Sequence, residues 1–220
     1  MPTILLARHG QASYGGSDYD VLSALGATQA DVLAAELTAR GLDVSELVSG
    51  SLSRQRDTAA PSAAALGRAV AVDPRFNEYD MDDILGSHSG TDVRVTGSSH
   101  AISSREFQDL LDGALVEWIA AGTASGAAET FPAFKARVSA GLRELAERLA
   151  SGTTGVAFTS GGVLAAVCIE LLGLADDAFT TFNRVTINAG ITKVIHGRRG
   201  ATLVSFNDHS HLAGPEVSYR

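Results

Sequence analysis

The sequence predicts an α/β fold, a three-layer sandwich with a mainly parallel sheet and helices on both faces. Three observations carry that expectation. Short apolar runs suited to strands alternate with longer segments of helical periodicity. The first run, Ile4-Leu5-Leu6, lacks the polar alternation of a half-exposed strand and reads as one covered on both sides. No stretch has the composition of a linker, so residues 1–220 are expected to form one domain.

In chain order, strands are expected over Thr3–Arg8, Glu46–Ser49, Ala69–Val72, Gly155–Thr159, Ile191–His196 and Ala201–Phe206. Between them, Ala27–Arg40 places Ala30, Leu33, Ala34 and Leu37 on one helical face, with Gly41 as its stop. Asp57–Leu66 is an Ala-rich helix entered from a basic turn. Ser104–Ala121 carries Phe107, Leu110, Leu111, Leu115, Trp118 and Ile119 at helical spacing, and Phe134–Ala150 repeats Phe134, Val138, Leu142, Leu145 and Leu149. Gly162–Leu172 follows a Ser-Gly-Gly turn. These apolar stripes, Trp118 included, read as core. Asp80–Ser103 breaks the rhythm: polar, rich in Gly, Ser, His and Asp, and without clear period, it reads as a lid or insertion.

The charge balance narrows the function classes. With 17 basic against 25 acidic residues the net charge is −8, which argues against a nucleic-acid binder. A phosphate site would have to be a local cluster of positive charge. The longest apolar stretch, Gly162–Ala175, is too short for a bilayer and contains Glu170, so no membrane association is expected. The N-terminus enters the first strand without a basic leader, and a cytoplasmic location is the default expectation. Cys168 is the one cysteine, on an apolar helix face, which excludes an internal disulfide and a cysteine-built zinc site. All but two basic residues are arginines, a usage expected of a GC-rich bacterial genome. A homodimer is the default oligomer.

Four segments bring chemistry-bearing residues to strand ends, where open α/β sheets place ligands. The first strand delivers Arg8-His9-Gly10: a possible nucleophile, a permanently charged oxyanion holder and a residue that lets the backbone turn. The triplet alone is short enough to occur by chance. After the second strand comes Ser49-Gly-Ser-Leu-Ser-Arg54-Gln-Arg-Asp-Thr58-Ala59. Arg54 is the candidate ligand and Arg56 its surface neighbour. Beyond the third strand, Asn77-Glu78-Tyr79-Asp80 offers a carboxylate, with Asp80, Asp82 and Asp83 as rivals. Thr159-Ser160-Gly161-Gly162 opens a helix from a buried strand, a ready anion site through its free backbone N–H groups. His209-Ser-His211 is the one close His pair, and it lacks the further ligands of a metal motif.

Together with Leu22–Ala30 (LSALGATQA), these segments resemble the histidine phosphatase superfamily, also called phosphoglycerate mutase-like, over nearly the whole chain. The resemblance implies metal-independent hydrolysis of a phosphomonoester, without a cofactor. His9 would be the nucleophile that becomes phosphohistidine. Arg8, Arg54, Ser160 and Gly161 would bind the phosphoryl group, and Glu78 would act as general acid and then base. The partner would be a small phosphorylated substrate. One position departs from the pattern: where most members carry a second histidine, this chain has Ser160. A hydroxyl donates one neutral hydrogen bond and carries no charge, so a rate penalty on the order of 10²–10³ is expected. His88, His100, His209 and His211 are candidates to compensate. A non-catalytic phosphoester- or protein-binding member is the alternative. A phosphoglycerate mutase fits less well, because Tyr79–Gly97 offers only Arg94 as a cation.

Overall fold

The computed structural model describes residues 1–13, 20–89 and 104–219, with the side chains of 89 and 104–107 excepted. It contains a six-stranded mixed sheet, mostly parallel, in the order β3-β2-β4-β1-β5-β6. The strands are β1 (Thr3–Arg8), β2 (Val44–Ser49), β3 (Val70–Val72), β4 (Thr154–Thr159), β5 (Ile191–Gly197) and β6 (Gly200–Asp208). The first four run parallel, with Leu5 beside Val156 and Leu47 beside the same residue from the other side. β5 is antiparallel to β1 and β6 antiparallel to β5.

β1 is covered on both faces because its residues alternate between two cores. Ile4 and Leu6 face one side together with Val48, Ala157, Phe134 and Leu164. Leu5 and Ala7 face the other with Leu33, Leu37, Ala59 and Phe158. The first core is roofed by α4 (Ser104–Ala121), α5 (Phe131–Arg148) and α6 (Gly161–Leu172). The second is roofed by α1 (Ala24–Ala39) and α2 (Ser53–Leu66). Burying one Leu or Phe side chain in such a core contributes about 1.5–3 kcal/mol. Trp118 belongs to the first core, and its indole N–H is satisfied by the Glu129 carbonyl at 2.8 Å. Cys168 is buried on α6, and burial pushes its thiol up to about 12.

Caps explain where several helices begin. Ser23 accepts from the Gly26 N–H at 3.0 Å and starts α1 three residues before the expected Ala27. Thr130 caps α5 in the same way. The expected polar lid is partly helical: Met81–Ser89 forms α3, started by the Asp80 carboxylate accepting from the Asp83 N–H at 3.0 Å. Its Ile84 and Leu85 are buried in the first core. The remainder of that segment, 90–103, lies outside the described residues, and His100 with it. A short helix without a sequence expectation, α7 (Ala178–Val185), seats Phe179 in the same core.

Two glycines set the approach of α1 to β1. A Cβ at Gly10 would lie 2.3 Å from the Gly26 carbonyl oxygen, and one at Gly26 would lie 2.1 Å from that of Gln11. The glycines of the Arg-His-Gly triplet and of the LSALGATQA segment therefore form a single contact, backbone against backbone.

Candidate functional site

His9 leaves the carboxyl end of β1 and is held by its backbone on three sides. Its N–H donates to the Thr159 carbonyl at 2.8 Å, and its carbonyl accepts from Asn188 Nδ2 at 3.2 Å and the Ala189 N–H at 3.3 Å. The ring is almost wholly buried. Its Nδ1 lies 2.7 Å from the Gly10 carbonyl, which can only accept, so the proton sits on Nδ1. Nε2 then keeps its lone pair and faces the Nε–H of Arg54 at 3.2 Å. Burial first, then the charges of Arg54 and Arg8, hold the imidazole pKa well below its ordinary value, against the opposing pull of the Gly10 carbonyl. This is a neutral imidazole in a fixed tautomer.

Arg54 sits in the first turn of α2, which begins at Ser53 and not at Asp57. The local sequence offers no cap there, since the preceding residue is Leu52. The cap comes from Asp20, whose carboxylate accepts from the Ser53 N–H at 2.7 Å and the Arg54 N–H at 3.4 Å. The same carboxylate pairs with Arg54 Nη1 at 2.7 Å. One turn on, Thr58 accepts from the Gly10 N–H at 2.9 Å and donates to the Arg54 carbonyl at 2.7 Å, tying the triplet to α2. Arg56 is exposed, as its reading as a surface residue expects.

Glu78 reaches the site from the segment after β3. Its Oε2 accepts from the Gly162 N–H at 3.1 Å, so the carboxylate caps α6. That bond takes one of the two backbone donors expected to face an anion. Gly162 has no room for a side chain, because a Cβ would lie 2.3 Å from Glu78 Oε1. Burial raises the Glu78 pKa; the Gly162 N–H, Arg54, Arg8 and the Tyr79 N–H oppose the shift without cancelling it. Arg137 fixes the backbone beneath: its guanidinium donates to the carbonyls of Arg75 (2.9 Å), Asn77 (2.8 Å) and Glu78 (3.3 Å).

Arg8 donates through Nη1 to the Thr186 carbonyl and to the Tyr219 carbonyl at 2.8 Å. It therefore ties the end of β1 to the loop after α7 and to the C-terminal segment. Ser160 is fully buried at the end of β4, where its Oγ lies 2.8 Å from Gln55 Nε2. Gly161 follows it into α6, with Thr186 Oγ1 and Asn183 Oδ1 within 3 Å of where a Cβ would stand.

The expected residues thus converge on one sheet edge. The charges of Arg8 and Arg54 act on both His9 and Glu78, and Ser160 is the chain neighbour of the residue that receives the His9 N–H. Of the four histidines considered as compensating groups, the three that are described are engaged elsewhere. His88 pairs with Glu117, His209 Nδ1 meets the Asn207 carbonyl at 2.7 Å, and His211 Nε2 meets that of Ala189 at 3.1 Å. Among the described residues, no group of three His, Cys, Asp or Glu could hold a metal ion. No helix among them is long and apolar enough to cross a membrane.

Sequence reasoning missed Asp20, Gln55, Thr58, Asn188 and Arg137. Only Thr58 left a usable signal, standing one helical turn from Arg54 in the same motif.

Comparison with known proteins bears on the family and the fold. The family described as the histidine phosphatase superfamily (branch 1) matches residues 4–209. Among solved structures, a mycobacterial glucosyl-3-phosphoglycerate phosphatase bound to inorganic phosphate aligns with a TM-score of 0.69 at 24% identity, covering 96% of this chain and 99% of its own. A mycobacterial hydrolase aligns at 0.70 and 22% identity, covering 97% and 93%. A phosphoserine phosphatase variant from Entamoeba histolytica, bound to phosphoserine, aligns at 0.61 and 18%, covering 97% and 100%. A search of curated proteins returned no match.

Proposed function

The chain belongs to the histidine phosphatase superfamily, and from that premise we propose that it hydrolyses phosphomonoesters of small molecules through a phosphohistidine on His9. The observation that carries this reading is the state of His9: neutral, with its proton held on Nδ1 by Gly10 and its Nε2 lone pair directed at a guanidinium. These two bonds would satisfy any buried histidine, but they also leave Nε2 unprotonated beside a cation, which is the state a nucleophile for phosphorus needs.

In the forward step Nε2 attacks phosphorus, the P–O bond to the leaving group breaks, and Glu78 gives its proton to that oxygen. The raised pKa of Glu78 supplies an acid at a pH where an ordinary carboxyl has lost its proton. Arg54, released from Nε2 as the phosphoryl group arrives, neutralises charge on the equatorial oxygens, with Arg8 on the flank. In the return step Glu78 takes a proton from water, the water oxygen bonds phosphorus, the P–N bond breaks, and inorganic phosphate leaves. Throughout, the proton stays on Nδ1, donated to the Gly10 carbonyl.

A second reading is favoured by Ser160 and by the Asp20–Arg54 pair: a phosphoester binder without turnover. The deciding experiment is turnover of an aryl phosphate with EDTA present, with acid-labile phosphoenzyme trapped in parallel. Turnover and phosphoenzyme, both lost in His9→Ala, support the enzyme. Vanadate binding with neither would support the binder.

A further inference from the structure

The hydroxyl of Ser160 has its hydrogen bonding dictated by a neighbour. Gln55 is wholly buried, with Nε2 at 3.0 Å from the Phe76 carbonyl and 2.8 Å from Ser160 Oγ. Its Oε1 stands 3.4 Å from the Leu52 N–H. A carbonyl only accepts and a backbone N–H only donates, so the amide has a single satisfactory orientation, with its NH₂ towards Ser160. Ser160 Oγ is therefore an acceptor in this contact. Its oxygen does not cap α6, and no acceptor for its own proton stands among the hydrogen bonds of the described residues.

Each member of the pair is also one residue along the chain from a group that contacts His9. Gln55 follows Arg54, whose Nε faces His9 Nε2, and Ser160 follows Thr159, whose carbonyl receives the His9 N–H. The one donor of this buried pair with no acceptor among the described residues is the serine O–H. A phosphoryl oxygen on His9 is the acceptor that the site would bring within its reach.

We propose that Gln55 is a positioning residue of the phosphoryl site: by donating to Ser160 Oγ it leaves the serine proton as a fixed donor to a phosphoryl oxygen. This rests on the phosphoryl-transfer reading above. Position 160 then works as half of a two-residue device, in which Gln55 supplies the orientation and Ser160 the bond. Without the amide the hydroxyl rotates freely, and its proton is no longer presented to the ligand before binding.

The test is a double-mutant cycle read as orthovanadate affinity on the full chain: Gln55→Ala, Ser160→Ala and the double variant, with Gln55→Met to keep the packing volume. Each single variant is expected to weaken vanadate by about tenfold, the scale of one neutral hydrogen bond. The double is expected to be no weaker than Ser160→Ala alone, since Gln55 acts through the hydroxyl. A merely structural Gln55 would lower Tm and leave no coupling in affinity. The proposal is overturned if Gln55→Met binds vanadate as the native chain does, if the two losses multiply, or if the native chain does not bind vanadate. Phosphoenzyme trapping is read separately. Coupled vanadate binding without phosphoenzyme would sink the catalytic reading and leave the Gln55–Ser160 device standing.

Discussion

Arg54 donates to His9 Nε2 across 3.2 Å while its other arm is held by Asp20 at 2.7 Å. One guanidinium thus spans the nucleophile and a carboxylate from a distant segment. A phosphoryl group has to displace both contacts to gain the same donors. The Arg54 charge is already paired in the resting site, and binding there is an exchange of partners.

Asp20→Asn separates the charge of that carboxylate from its capping role. The amide oxygen still accepts from the first turn of α2, and the competing anion is gone. Inorganic phosphate is expected to inhibit several-fold to about tenfold more tightly, with a larger effect at low ionic strength. Product-inhibition constants at two salt concentrations measure this. Unchanged inhibition would mean that the pair does not compete with ligand.

Glu78→Gln carries a signature in pH. The folded pKa of Glu78 is raised by burial, so the fold binds that proton more tightly than the unfolded chain does. Its stability contribution is present below the ordinary carboxyl range and is lost as pH rises through the folded value. The Gln variant has no such loss, so its Tm relative to the native protein is expected to rise with pH and then level off. A thermal series from acid to neutral pH reads the difference, and a flat difference would remove burial as the cause. Activity should fall most on alkyl phosphates, whose leaving oxygen needs the proton most.

His9 titrates in the opposite sense. Its lowered pKa means that the unfolded chain takes up the proton first as pH falls. Stability from this group is full above the ordinary imidazole pKa and is lost as pH falls towards the folded value. A phosphatase using it should therefore keep its nucleophile neutral below pH 6.5. The acid limb of the rate profile at saturating substrate is expected well below that point, and a limb at the ordinary histidine value would contradict the buried, Arg-flanked ring.

Ser160→His should not restore activity by itself. Ser160 is fully buried against Gln55, and an imidazole there meets the Gln55 amide. Overpacking of that kind costs about 1–3 kcal/mol. The single variant is expected to have a lower Tm and no gain in kcat, whereas Gln55→Ala with Ser160→His is expected to exceed it by at least tenfold. A gain in the single variant would mean that the position had room.

The layered sheet was legible because its strands leave a strong local trace. Ile4–Ala7 is apolar without interruption, and each residue belongs to one of two cores. The start of α2 was not legible, because its cap is Asp20, more than thirty residues earlier and brought there only by the fold. α3 hid inside a polar stretch since two buried apolar residues, Ile84 and Leu85, with Met81 packed beside them, are enough to seat it on the core. The candidate site shows the same division. His9, Arg54 and Glu78 stand in motifs, while Gln55 and Arg137 act through side-chain and carbonyl contacts that no spacing announces.

The meeting of Gly10 and Gly26 sets a limit on how this sequence can drift. Most core contacts tolerate exchange: a larger residue on one side can be answered by a smaller one opposite, as volume-conserving swaps at Leu33 or Leu37 would allow. Between Gly10 and Gly26 each residue is already the smallest available, and the opposing atoms are backbone. Neither position can compensate for the other. In a saturation library selected for folding, both should stay invariant while their apolar neighbours vary, and the seam between α1 and the nucleophile loop would be the least evolvable contact around the site.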